Sequence, residues 1–225
     1  MRIVITAGPT REHLDPVRFL SNPSTGRMGF AVAAEAARRG HEVTLVAGPV
    51  ALKTPGGVKR VDVVSAREML EASLEGLEGL GGLEGLGGLE KVVFISTAAV
   101  ADWRPAKCAA KKLKKGEMSV VLRLVRNPDI LKTIDSYRRR SNAVGLRLVG
   151  FAAETDHVLR EAARKCREKG LSFIVANDVT KKGCGFGTDT NKVTFVFPDG
   201  TMRNFPLMTK RMVAKRILEE IENEE

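Results

Sequence analysis

The loop Ser21-Asn22-Pro23-Ser24-Thr25-Gly26-Arg27-Met28-Gly29 concentrates hydroxyls, a carboxamide and a guanidinium among small residues. Its Gly26-x-x-Gly29 step opens a helical pattern, where unpaired backbone N–H groups can cradle an anion. Gly29 can equally serve only to let that helix pack closely on a strand. A dinucleotide-binding fold would place G-x-G-x-x-G directly between the first strand and its helix. It would also end the second strand with an acidic residue for a ribose hydroxyl. Here the glycines come late, and the second strand ends Leu45-Val46-Ala47-Gly48 with no carboxylate. An NAD(P)-dependent reductase is therefore the weaker alternative to an enzyme that handles a nucleoside triphosphate.

Other polar groups gather at the ends of apolar runs. Ser96-Thr97-Ala98-Ala99 lets a ligand approach the backbone, and Asp102 follows closely. Aspartate in such a loop caps a turn or helix, whereas beside a triphosphate it would hold Mg²⁺ or a sugar hydroxyl. Lys107, Lys111, Lys112, Lys114 and Lys115 form a basic segment. It reads as a solvated arm, a nucleic-acid patch, or an arm that brings lysines onto phosphates. Aromatic residues are only 5% of the chain and none is interleaved here, so bases have no stacking platform and no nucleic-acid partner is expected. Asn127-Pro128-Asp129-Ile130-Leu131 marks a helix start with exposed N–H groups. Lys165 and Lys169 share a helical face, a repulsion that Glu161 or a bound polyphosphate would offset. His13, His41 and His157 are scattered and suggest no nucleophile–base arrangement.

An α/β pattern positions these groups. Apolar strands are expected at 2–7, 42–46, 58–64, 92–97, 146–152 and 171–176. Helices are expected at 29–39, from Ala66 behind a Ser65/Glu68 capping box, at 156–169 and at 207–221. An edge hairpin at 192–197 turns on Asp199-Gly200. Such alternation implies a doubly wound, Rossmann-like, mostly parallel sheet whose ligands lie beyond the C-terminal ends of the strands. The glycine–leucine repeat at about 74–90 reads as a flexible surface excursion without catalytic content. The segment 107–126 departs from the pattern, because 118–125 reads as a strand with no crossover helix before it. An arm or hairpin that leaves the sheet to pair with a second subunit is expected there.

At 225 residues and 43% hydrophobic content the chain can bury one core, and a single domain over 1–225 is expected. Lys+Arg exceed Asp+Glu by 37 to 27, a formal +10 that suits an anionic partner. No apolar run approaches the roughly 20 residues that span a bilayer, so no membrane association is expected. Cys108, Cys166 and Cys184 are far apart, which fits a reducing cytoplasm better than a disulfide framework.

Taken together, ITAGPTRE (5–12), DPVRFLSNPSTGRMG (15–29), AAVADWRP (98–105), KLKK (112–115), NPDIL (127–131), GFAAET (150–155), AND (176–178) and GFGTDTN (185–191) resemble, in order, the motifs of phosphopantothenate–cysteine ligase. That family is the synthetase half of the bifunctional bacterial coenzyme A biosynthesis protein, and the decarboxylase half has no counterpart here. The resemblance implies a modified Rossmann-like fold, a homodimer with an exchanged arm, and a two-step reaction. The 4′-phosphopantothenate carboxylate attacks the α-phosphorus of a nucleoside triphosphate, with Mg²⁺, and releases pyrophosphate. The amine of L-cysteine then displaces the nucleotide. Bacterial-style motifs imply CTP, the eukaryotic branch uses ATP, and the residues alone leave the base open.

By position, the resemblance implies that Asn22 holds the acyl group and promotes the cysteine step, its uncharged amide donating to the acyl carbonyl. Lys112 is the second implied catalytic residue. Arg18, Ser24, Gly26 and Ala98 would join Asn22 around the pantothenate substrate. The nucleotide would fall to Ser96, Thr97, Ala98, Asp102, Lys112, Pro128, Asp129, Ile130, Leu131, Phe151, Lys165 and Lys169, with Asp102 as the candidate metal ligand. The family's usual His, Ser and Lys in the first loop are Pro23, Thr25 and Arg27 here. Positioning and charge stabilisation carry this chemistry, so the lack of a His or Cys nucleophile agrees with it.

Overall fold

A computed structural model describes residues 1–78, 91–114, 121–143, 145–154, 157–178, 180, 183–185 and 187–223. Strand β1 (Arg2–Ala7) alternates Ile3, Ile5 and Ala7 with Val4 and Thr6, and all five are buried. A strand buried on both faces belongs inside a parallel sheet. The chain then leaves the sheet as a hairpin, β2 (Arg11–His13) and β3 (Phe19–Ser21), before helix α1 (Arg27–Arg38). β4 (Glu42–Ala47), β5 (Val58–Asp62), α2 (Ala66–Glu78) and β6 (Val92–Ser96) follow. A second hairpin, β7 (Trp103–Pro105) and β8 (Leu124–Arg126), precedes α3 (Ile130–Arg140), β9 (Leu146–Glu154), α4 (Val158–Glu168) and β10 (Phe173–Asp178). The chain closes with β11 (Thr190–Asn191), β12 (Val193–Val196), β13 (Met202–Asn204), β14 (Met208–Thr209) and α5 (Lys210–Asn223).

The central sheet holds eight strands in the order β13-β12-β10-β9-β6-β1-β4-β5. From β10 to β5 all neighbours run parallel, and β12 and β13 add an antiparallel edge. Helices α1 and α5 cover one face, over Ile3, Ile5, Leu45, Ile95 and Phe195. Helices α2, α3 and α4 cover the other, over Val4, Val46, Phe94, Leu148 and Ile174. Strand order reverses between β1 and β6, so connections depart in opposite directions there and open a crevice.

The expected mostly parallel α/β sheet is what the chain forms, with two local differences. Helix α2 runs five residues into the glycine–leucine segment, because Leu77 is buried and Leu74 packs on the same core, which outweighs the low helix propensity of Gly76. The remainder of that segment, 79–90, lies outside the described residues. In the region expected to form an arm, Leu124–Arg126 pairs antiparallel with Trp103–Pro105 in a ribbon of its own. An antiparallel partner needs no crossover helix, which removes the anomaly. Residues 115–120, with Lys115 and the start of the expected strand, lie outside the described residues, as do Thr155 and Asp156 before α4. Among the described residues no helix is long and apolar enough to cross a membrane.

The expected cap of α2 is present in a stretched form. The Glu68 N–H donates to Ser65 Oγ at 3.2 Å, and the Glu68 carboxylate accepts from the Val64 N–H at 2.7 Å. Ser65→Ala should lower unfolding stability by about 1 kcal/mol with an unchanged m-value in urea titration.

Candidate active site

The crevice at the switch point is a cleft of about 750 Å³. Its floor is a seam between the ends of β1 and β6. The Thr97 N–H and hydroxyl both donate to Thr6 O, at 3.2 and 2.7 Å, and the Ala99 N–H donates to Gly8 O at 2.9 Å. The buried Thr10 hydroxyl accepts from the Ala101 N–H at 3.0 Å. These bonds hold the turn from Ala98 to Ala101 against the first strand's exit, so both loops move as one unit.

Asn22 fastens the first loop to this seam. Its amide nitrogen donates to Ala99 O and Val100 O, both at 3.1 Å. The sequence suggested that this amide donates to an acyl oxygen. In the structure both N–H groups go to main-chain carbonyls, which leaves Oδ1 as the atom not committed to that seam. The loop continues through Ser24, whose hydroxyl accepts from the Gly26 N–H at 3.3 Å. Gly26, at φ 75°, is the N-cap of α1, and no side chain caps the helix. The first N–H groups of α1 therefore point into the cleft with the positive end of the helix dipole. A methyl group at Gly29 would stand 2.4 Å from Thr97 Oγ1 and 2.5 Å from Ala7 Cβ. Close packing is thus Gly29's direct role, and it draws the α1 terminus down onto the seam.

The far wall comes from α3 and α4. Asn127 donates through Nδ2 to Ala101 O at 2.7 Å, and its N–H donates to Asp102 O at 2.8 Å. Asp129 caps α3 by accepting from the Lys132 N–H at 3.1 Å, and Lys169 pairs with the same carboxylate at 2.9 Å. Lys169 thus ties α4 to the α3 terminus. Glu161, expected beside Lys165, is held below the usual carboxylate range chiefly by its hydrogen bonds from Arg164, with Lys165 adding a smaller electrostatic share. The exposed Asp102 carboxylate caps no turn and has no partner among the described residues. Those residues hold no cluster of three metal-ligating side chains. One free carboxylate facing a cleft fits Mg²⁺, which takes one or two protein carboxylates and completes its shell with phosphates and water.

Ser24, Gly26, Ser96, Thr97, Ala98, Pro128, Ile130, Leu131, Phe151 and Lys165 all line this cleft, with Asn22, Asp102, Asp129 and Lys169. Arg18 and Lys112 do not. Arg18 donates to Leu113 O at 2.6 Å, and Asp15 accepts from the Val17, Arg18 and Leu113 N–H groups. Burial alone would raise the Asp15 pKa, but these N–H groups and the Arg18 charge hold it below the usual range. Arg18 and exposed Lys112 therefore lie near one another where the segment joining β7 to β8 meets the turn of the first hairpin. Sequence reasoning gave no role to Lys210 or Asn191, which also line the cleft and lie far along the chain from the other motifs.

Residues 1–224 match the model of the DNA/pantothenate metabolism flavoprotein C-terminal domain. The chain belongs to that family. It is 43% identical over 224 residues to the coenzyme A biosynthesis bifunctional protein CoaBC of Escherichia coli, covering 98% of this chain and 51% of that protein. The corresponding Bacillus subtilis protein is 44% identical over 220 residues, covering 97% of this chain and 50% of that protein. The chain thus spans about half the length of these relatives. A crystal structure of the C-terminal domain of CoaBC superposes with a TM-score of 0.77 at 42% identity, covering 98% of this chain and 93% of that one. Cab2 in complex with phosphopantothenate–cysteine shares the fold at a TM-score of 0.72 and 17% identity, covering 98% of this chain and 86% of its own.

Because Gly29 sets the approach of α1, Gly29→Ala should lower stability by about 1–3 kcal/mol through overpacking. Urea titration would measure this, and wild-type stability would show that the helix terminus is free to shift.

Proposed function

We propose that the chain is a phosphopantothenate–cysteine ligase acting in coenzyme A biosynthesis, with CTP as the activating nucleotide. The reading rests on one observation above all. Apart from Arg18 and Lys112, the residues that the resemblance assigns to nucleotide and acyl group line a single switch-point cleft, in a chain similar along its length to the C-terminal domain of CoaBC. Cab2, which shares the fold, was solved with phosphopantothenate–cysteine, the product proposed here. The bacterial character of the motifs supports CTP over ATP. These substrates would place the reaction in the cytoplasm.

In the first step a carboxylate oxygen of 4′-phosphopantothenate bonds to the α-phosphorus, and the bond to pyrophosphate breaks. The uncapped α1 terminus and the N–H groups at the start of α3 supply fixed positive potential for the phosphates. Asp102 would hold Mg²⁺, which would neutralise phosphate charge. In the second step the cysteine nitrogen bonds to the acyl carbon, CMP departs, and the amine loses a proton. Asn22 Oδ1 is suited to accept an N–H from that amine, since its nitrogen already anchors the loop.

Arg18 and Lys112 suit a homodimer in which the second hairpin reaches the partner's cleft. Val17, Phe19, Trp103, Leu122 and Leu124 are exposed on and beside the two hairpins, a concentration of apolar surface expected of an interface.

Pyrophosphate release with phosphopantothenate, tested with CTP and then ATP, decides the reading, and no release with either nucleotide removes it. Asn22→Asp turns a donor into a carboxylate facing two carbonyls, and should leave a trapped acyl-nucleotidylate. Normal turnover there would strip Asn22 of its role. Lys112→Gln should impair the first step, and mixing it with Asn22→Asp should restore part of the activity if sites are shared between subunits. No recovery in mixed dimers would place Lys112 and Asn22 in the same chain's site.

A further inference from the structure

Asp15 is the meeting point of two segments 98 residues apart in the chain. It lies in the turn between β2 and β3, and its side chain is fully buried. One oxygen, Oδ1, accepts from the Val17 and Arg18 N–H groups at 2.8 and 2.9 Å, which shapes the turn. The other, Oδ2, accepts from the Leu113 N–H at 3.1 Å. Arg18 closes the arrangement, with its Nε 3.7 Å from Oδ2 and its Nη2 donating to Leu113 O at 2.6 Å. Earlier in the same segment the Ala109 N–H donates to Leu14 O at 2.9 Å. The main chain is thus held to the first hairpin on either side of Lys112, at Ala109 and at Leu113.

Lys112 itself is exposed and has no hydrogen bond or ion pair among the described residues. Its place is therefore set by its backbone. A lysine on a free coil must lose main-chain and side-chain freedom to meet an anion, whereas one on a pinned backbone loses only the second. The two oxygens of Asp15 divide the task, since Oδ1 folds the turn and Oδ2 holds Leu113. An uncharged amide could do the first and not the second. Asparagine in place of Asp15 would keep its oxygen toward the Val17 and Arg18 N–H groups. Its NH₂ would then face the Leu113 N–H and the Arg18 guanidinium, which are donors too.

We propose that Asp15 is a positioning residue of the ligase, the carboxylate that fixes the segment bearing Lys112 against the turn bearing Arg18. Being fully buried, it acts through Lys112 rather than by touching substrate. The work assigned to Lys112 rests on the ligase reading, whereas the tie at Leu113 stands on its own bonds.

Amide hydrogen exchange of the full chain, joined to the rate of pyrophosphate release from phosphopantothenate and CTP, tests this. In the wild type the Ala109 and Leu113 amides should exchange at least about tenfold more slowly than those of Lys111 and Lys112, which donate to nothing among the described residues. Asp15→Asn should leave Val17 and Arg18 protected. It should speed exchange at Ala109 by at least about tenfold, although the acceptor there, Leu14 O, is untouched. It should also cut kcat/KM for the first step at least about tenfold, the scale of one charge-assisted hydrogen bond. Adding Lys112→Gln to it should slow that step no further than Lys112→Gln does alone. Losses that multiply, or a wild-type rate in Asp15→Asn, would overturn the positioning role. Fast, equal exchange across 109–113 in the wild type, or protection of Ala109 and Leu113 retained in the variant, overturns the tie without recourse to activity. A wild-type chain that releases no pyrophosphate would remove the ligase reading, and the exchange rates would still uphold or sink the tie.

Discussion

Everything in the cleft depends on how closely the exit of β1 lies against the exit of β6. Thr6 and Thr10 are wholly buried, and their oxygens accept from the backbone of 97–101. Gly29 lets α1 close over both exits, since a methyl group there would strike Thr97 Oγ1 and Ala7 Cβ. A methyl group at Gly48 would lie 1.8 Å from Pro9 O, so the second strand's exit is pressed against the first as well. The two loops that carry the polar side chains are thus pinned to parallel strands that cannot slide without breaking the core. Asn22 adds the last tie, joining the helix-opening loop to Ala99 and Val100.

Positive charge is distributed around this seam rather than focused on one point. Arg27 and Lys210 stand at the α1 side, Lys165 and Lys169 at the α4 side. Each side also receives a helix N-terminus, so a long, flexible polyanion could be held at both ends. Among these cations, Lys169 is tied to Asp129 and Arg27 to Asp189. Such internal ties keep a cationic side chain in place before any ligand arrives, which limits the order it must gain on binding.

Much of the sheet was legible because its strands are apolar on both faces, and a run such as Val92–Ser96 admits few other readings. The three-residue strands of β2 and β3 were not, since so short a pairing leaves no periodic trace. Their turn is set by Asp15, whose buried carboxylate gathers backbone N–H groups from positions far apart in the chain. At the site, the motif residues of the strand ends line one cleft, whereas Arg18 and Lys112 lie outside it. The direction of the Asn22 amide was hidden, because a side chain's donors and acceptors are assigned by neighbours that only the fold supplies. Asn191 and Lys210 were hidden for a related reason. A lysine opening a helix looks solvated until the fold brings the Gly185 and Thr188 carbonyls onto it.

The polarity of the sheet has a practical side. Arg2 donates to Lys91 O where β1 and β6 begin, and α2 ends at Glu78 on the way to that same edge. The candidate cleft is at the opposite edge, where those strands finish. Residues 78 and 91 therefore bracket a natural point for splicing in an affinity handle, a fluorophore or a foreign domain. An insertion there is separated from the cleft by the length of the strands themselves.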